Sequence, residues 1–279
     1  QRSGSHTDVV GFTENLCSTV PQGTLDMVID KTWEVIPGRL FFTIHLDEEH
    51  TIRCIKADPR TFYFSSWMQE SYQPFCSDFG PVNLAAVIRF CYFMREKMVD
   101  PRLASRPLVY YCDADTAFAT NTAFLLGAYL VLVEKWTPEQ AAEPFDAIQP
   151  SPFRMFRDAT YVPSTYDLCL VDCFRGLQRA VEAGWLDYER FDVEQYEMLD
   201  DPETADVHVV CPKFVAFRGP CGRADADRWE REPQDYVALF KELKVSAVVR
   251  LNEADSYDRR ALTSRGINHH DLYFDDCTA

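Results

Sequence analysis

The sequence predicts an α/β fold in two successive blocks, and three features carry that expectation. Short β-branched and aromatic runs alternate with stretches of helical apolar spacing, the strand-like LVYYC at Leu108 runs directly into a helical segment, and a second strand–helix series begins at Phe214. At 279 residues, 47% apolar and 26% charged, the chain has material for one to two domains with cores of their own.

Gln1 to His6 (QRSGSH) is small and polar, lacks an initiator methionine and reads as a tag scar or frayed end. After Pro37 the run PGRLFFTIHL is a turn signal followed by a strand, and Thr61 to Ser65 repeats the strand character. Asp78 to Pro81 (DFGP) opens a helix over Val82 to Val99, in which Leu84, Val87, Ile88, Cys91 and Met94 recur at helical spacing. Leu108 to Cys112 is a short buried strand, and Asn121 to Trp136, with little polar face, is a central helix. Thr137, Pro138 and Gln140 form a capping-box start for a helix that Pro144 limits to about two turns. Ser164 with Asp167 predicts a helix from Thr165 to Ala183, stopped by Gly184.

Leu186 to Ala205 is acid-rich, with Glu194, Glu197, Asp200, Asp201, Glu203 and Asp206 around Pro202, and reads as a linker. Beyond it the expected order is strand Phe214 to Phe217, helix Gln234 to Lys244, strand Ala247 to Leu251, helix Tyr257 to Ser264, and strand Ile267 to Phe274 after Gly266. Two blocks of similar grammar in tandem point to duplicated domains. The expected limits are a tail over 1–34, a first domain over 35–190, an acidic linker over 191–210, and the start of a second domain over 211–279.

Composition narrows the function classes. The longest apolar run, Ala123 to Val133, falls short of the roughly 20 residues a bilayer crossing needs, and the amino end carries no signal-peptide pattern, so no membrane partner and a cytosolic or nuclear location are expected. Ten irregularly spaced cysteines read as reduced thiols. A formal charge of −16 repels a nucleic-acid backbone and favours basic proteins or peptides as partners, or simply keeps the surface soluble. No cofactor motif occurs. The zinc signatures C-x-x-C and H-E-x-x-H are absent; His45 to His50 (HLDEEH) is the best metal candidate, but the expectation is that no metal is held.

A cysteine phosphatase needs a thiolate and a guanidinium on one strand-to-helix loop, written as cysteine, five residues, arginine. Cys173 to Arg179 (CFRGLQR) has that form, inside the long predicted helix. Six helical residues separate the two by about 9 Å of rise and about 120° of rotation, so they cannot enclose one phosphate. Cys173 and Cys169 read as packing residues. The better placed segment, CDADTAFAT after Leu108, has no arginine and two phosphate-repelling aspartates; it is either a lapsed catalytic loop or a plain connection.

KFVAFRGP at Lys213, AVVRLN at Ala247 and GINHHDLYFDD at Gly266 resemble, in order and spacing, the cell division cycle 14 family of dual-specificity protein phosphatases. GRLFF at Gly38, DFGPVNLA at Asp78, NTAFLLGAY at Asn121, FRDATY at Phe156 and YDLCLVDC at Tyr166 resemble that family's amino-terminal domain. The likeness runs from about Val35 to Thr278. It implies tandem dual-specificity-phosphatase-like domains, each a central sheet flanked by helices, the first catalytically silent and the second active but incomplete here. It further implies phosphoserine or phosphothreonine before proline with a nearby basic residue as substrate, a cell-cycle role, and spindle or centrosome association. By the same resemblance Asp276 is the general acid, with Asp275 as fallback, and Glu194 and Glu197 line an acidic groove for the substrate's basic residue. Because the nucleophilic cysteine and its arginine are not in the sequence, the chain reads as a fragment without turnover. The competing reading is a non-catalytic interaction module whose acidic face recruits basic partners.

Overall fold

The computed structural model describes residues 23–65, 71–74, 76–164, 166–221 and 231–274. Its elements are α1 (Thr24–Val28), β1 (Thr32–Ile36), β2 (Leu40–His45), α2 (Glu48–Ala57), β3 (Phe62–Phe64), α3 (Leu84–Val99), β4 (Leu108–Asp113), α4 (Thr116–Leu132), α5 (Pro138–Asp146), α6 (Leu170–Glu182), α7 (Val193–Asp200), β5 (Val207–Cys211), β6 (Phe214–Phe217), α8 (Val237–Glu242) after a 3-10 turn at Pro233–Tyr236, β7 (Ala247–Arg250), α9 (Arg260–Thr263) and β8 (Asn268–Asp271). The chain is α/β, with a central mixed sheet flanked by helices as the sequence predicts.

That sheet has the order β1-β2-β4-β3, with β1 antiparallel to β2 and with β2, β4 and β3 parallel. Strand alternation divides it into two faces. Leu40, Phe42, Ile44, Leu108, Tyr110 and Cys112 are all buried, and in-register pairing of Phe42 with Tyr110 puts them on one face. Helices cover this face: Phe90 of α3 meets Tyr110 edge-on at 5.3 Å, and Phe145 of α5 meets Phe42 at 6.4 Å. The opposite face carries Thr43, His45, Tyr63 and Tyr111 beside α2. Arg39 of the GRLFF run is structural, because its guanidinium donates to the carbonyls of Met98, Leu103 and Arg106 and so ties off the end of α3.

Helix α4 is buried all round from Ala119 to Leu132, as its lack of a polar face predicts. It starts five residues before the expected Asn121 because Asp115 caps it through the amides of Ala117 (2.8 Å) and Phe118 (3.0 Å), and it stops at Leu132 rather than Trp136, with Lys135 turned to a left-handed φ of 61° just beyond. The Thr137–Gln140 capping box is present in both directions, at 3.2 and 3.0 Å. Helix α6 starts at Leu170, not Thr165, with Cys169 at its N-cap and Asp172 accepting from the Cys169 amide. Leu168 is spent instead on an extended bridge to Phe156, which the local capping pattern could not reveal.

The acid-rich linker is also corrected, since α7 occupies Val193–Asp200. Its Leu199 joins a second core with Ala205, Val207, Tyr236, Phe240, Val248, Tyr257, Leu262 and Ile267, whereas the first core runs from Val28 to Tyr188. The second block has one strand more than expected: β5 forms an antiparallel hairpin with β6, and β7 pairs parallel with β8. No helix among the described residues is long and apolar enough to cross a membrane.

Candidate active site and acidic surface

Strand β4, the loop Ala114–Asp115 and helix α4 have the layout in which a phosphatase would hold phosphate on amide groups at a helix amino end. Here that end is already filled. The Asp115 carboxylate takes the Ala117 and Phe118 amides, and the Asp115 amide donates to Asp113 O at 2.8 Å. A phosphate would have to displace one carboxylate while facing a second, so the loop is closed to anions by its own sequence. In front lies a cleft of about 200 Å³ lined by Ser71, Tyr72, Asp78, Phe79, Phe118 and Arg154. Tyr72 donates to Asp78 at 2.5 Å; burial and that neighbouring carboxylate push the phenol up to about 12. Asn121 of the NTAFLLGAY run accepts from the Val82 amide at 3.2 Å and donates to Gly80 O at 3.4 Å, which fastens the DFGP turn to α4. Two of the family-like motifs thus interlock beside a loop whose helix amides are already capped by Asp115.

Cys173 and Arg179 lie on α6, as expected. Burial pushes the Cys173 thiol up to about 12, the reverse of what a nucleophile needs. A phosphotyrosine-mimicking vinyl sulfone at neutral pH is expected to leave Cys173 unlabelled by peptide mass spectrometry; labelling there would refute the reading of CFRGLQR as a coincidence. Cys169 differs from the expected packing role, since its sulfur sits 3.0 Å from the Asp172 carboxylate at the helix cap.

In the second block Arg250, 5% exposed, joins β7 to β8. Its guanidinium binds Asp271 Oδ1 at 2.7 Å and donates to Tyr257 O at 2.7 Å, and Tyr257 Oη meets His269 Nε2 at 2.7 Å. Past β8 the Leu272 amide donates to Arg250 O and the Phe274 amide to Leu251 O, at 2.9 and 3.3 Å. The chain is therefore held against the end of β7 as far as Phe274. Asp275 and Asp276 lie outside the described residues.

Glu194 and Glu197 are exposed on α7, one helical turn apart. Glu197 is gripped bidentately by Arg89 of α3, at 3.1 and 2.7 Å. Asp200 accepts from Asn83 at 3.2 Å and pairs with His208 at 3.1 Å. Helix α7 thereby touches both α3 and β5, which presents its acids beside both cores. On the opposite side of the molecule His45 and His50 come together as the HLDEEH run suggests, but with Cys54, which sequence reading missed. The available signal was its spacing of four from His50 on a helix.

The comparisons agree with the fold. Residues 34–180 match the family model described as dual specificity protein phosphatase, N-terminal half. The chain is 37% identical over 224 residues to the human dual specificity protein phosphatase CDC14A, covering 79% of this chain and 38% of the relative. It is 34% identical to human CDC14C (79% and 50%) and 36% identical to the tyrosine-protein phosphatase CDC14 homolog of Schizosaccharomyces pombe (79% and 42%). The chain thus spans half or less of the length of each of these relatives.

Proposed function

Because the chain belongs to the CDC14 family of dual specificity protein phosphatases, we propose that it supplies the non-hydrolytic first domain, the acidic substrate surface and the general-acid segment of a phosphatase acting on phosphoproteins. The observation that carries this reading is the conjunction of a phosphatase-like strand–loop–helix sealed by Asp115 with a second block whose β8 ends at Asp271, five residues before Asp276 in the sequence. Substrates are phosphoserine or phosphothreonine followed by proline, with a lysine or arginine a few residues on. Asp276 protonates the departing oxygen. Glu194 and Glu197 attract the basic residue by charge complementarity. The first domain spans 35–190 and the catalytic one begins near 211.

Arg89 tempers the acidic surface without closing it. The Arg89–Glu197 pair is about half exposed on both sides, and pairs of that kind are worth at most about 1 kcal/mol, so a substrate cation can compete for Glu197 while Glu194 faces solvent. The test uses a polypeptide that carries this sequence together with a cysteine-x5-arginine loop. Glu194→Lys with Glu197→Lys is expected to lower kcat/KM on lysine-bearing phosphoserine-proline peptides by at least about tenfold, with little change on peptides lacking the lysine. Unchanged preference would remove the groove assignment. Absence of phosphatase turnover by that polypeptide would leave the interaction-module reading in its place.

A further inference from the structure

We propose that His45, His50, Cys54 and Asp30 form a binding site for a borderline-soft divalent cation, with zinc as the best fit, on the face of the central sheet opposite the main helices. The donor atoms of His45, His50 and Cys54 all lie within 4.8 Å of one another. His50 Nε2 is 2.9 Å from Asp30 Oδ1 and 3.1 Å from Cys54 Sγ. One imidazole nitrogen carries at most one proton, yet a carboxylate and a sulfur both converge on it. A cation resolves that convergence by taking all the donors at once. Tetrahedral zinc with bonds of about 2.0–2.3 Å sets donor–donor edges of about 3.3–3.7 Å. The His45, His50 and Cys54 donors, all within 4.8 Å of one another with the His50–Cys54 edge at 3.1 Å, bracket that range, and Asp30, 2.9 Å from His50, is the carboxylate that completes the shell by turning toward them. Two nitrogens, one thiolate and one carboxylate suit zinc rather than magnesium or calcium, which prefer all-oxygen shells.

The ligands come from three segments that the backbone already fixes. His45 ends β2, buried and stacked on Tyr111 at 5.3 Å. His50 and Cys54 lie one turn apart on α2, whose start is fixed by Asp47 accepting from the His50 amide at 2.7 Å. Asp30 adopts the left-handed conformation at φ 65°, and its amide donates to Ile44 O at 2.9 Å, which holds this turn beside β2. An outer contact sets the His45 tautomer. Thr51 Oγ1 donates its proton to Asp47 O at 3.2 Å and so accepts from His45 Nδ1–H at 2.8 Å, leaving the lone pair on Nε2. A neutral imidazole ligates through that lone pair.

Binding must release protons. A thiol such as Cys54 carries its proton at neutral pH without metal. On uptake the S–H bond breaks, the sulfur electron pair bonds the cation, and the proton passes to buffer. His50 shifts its proton from Nε2 to Nδ1. The Arg53 guanidinium 3.5 Å from His50 Nδ1 must then turn away, toward Glu49 at 2.9 Å. This reverses the sequence expectation of no metal, which rested on the absence of a recognised spacing.

The test is titration of the reduced, purified protein with Co²⁺. One ion per chain is expected, with the intense visible bands of tetrahedral cobalt and a near-ultraviolet thiolate-to-cobalt charge-transfer band. Cys54→Ser should abolish the charge-transfer band, His50→Ala should weaken Co²⁺ binding at least about tenfold, and Thr51→Ala about 10–100-fold. Cys173→Ser and Cys221→Ser should change nothing. Far-UV circular dichroism checks that each variant is folded, and a Zn²⁺-dependent rise in Tm of the unaltered chain gives a readout independent of any variant. Absence of the charge-transfer band, its persistence in Cys54→Ser, or a Tm indifferent to Zn²⁺ would overturn the site.

Discussion

Asp276→Asn, in a polypeptide that also carries a cysteine-x5-arginine loop, is expected to slow hydrolysis of a phosphoserine-proline peptide by about 10²–10⁴-fold. The same substitution should cost far less with an aryl phosphate whose leaving group is a stabilised phenolate. The asymmetry follows from the leaving oxygen. A serine alkoxide is a strong base and cannot depart without a proton, whereas a nitrophenolate can. Asparagine keeps the size of the side chain but has no acidic proton to give. Comparing kcat on the two substrates separates loss of the acid from general damage to the site, which would slow both equally. Asp275→Asn should leave the ratio near that of the parent; if Asp275→Asn gives the asymmetry and Asp276→Asn does not, the roles are exchanged.

What the sequence makes legible here depends on how far apart the interacting residues lie. The Thr137–Gln140 box and the Gly184 stop are visible because all their parts fall within one turn, and the structure has both, with Gly184 at φ 70°. The start of α6 is misread because Leu168 answers to Phe156 rather than to its neighbours. Helix α7 hides for the same reason. Its acids look like solvated linker until Arg89, 108 positions away, is seen to hold Glu197. The anion-closed loop is half legible: the two aspartates are plain in CDADTAFAT, but only the geometry shows Asp115 turned onto the amides of α4. The spacing of four between His50 and Cys54 is legible on a helix, but that His45 meets them depends on the packing of α2 on β2, which no spacing rule in the sequence encodes.

The second large effect lies in the first core, where α4 crosses α6 at Gly127. A methyl group added there would overlap the Cζ atom of Phe174 and lie 2.5 and 2.6 Å from its Cε atoms. The ring has nowhere to go, since Phe174 is fully buried and stacked on Phe124 at 6.3 Å with the planes 8° apart. Phe174→Ala should therefore cost about 3–5 kcal/mol by emptying this volume. Gly127→Ala should cost about 1–3 kcal/mol by overfilling it, although alanine is the better helix former by about 1 kcal/mol. The two effects are not independent. With Phe174 already reduced to alanine the clash partner is gone, so adding Gly127→Ala should become neutral or stabilising by up to about 1 kcal/mol, a reversal of sign within one double-mutant cycle. Urea denaturation of the four proteins reads it directly. If Gly127→Ala destabilises equally in both backgrounds, the close approach of α4 to Phe174 is not what requires glycine at this position.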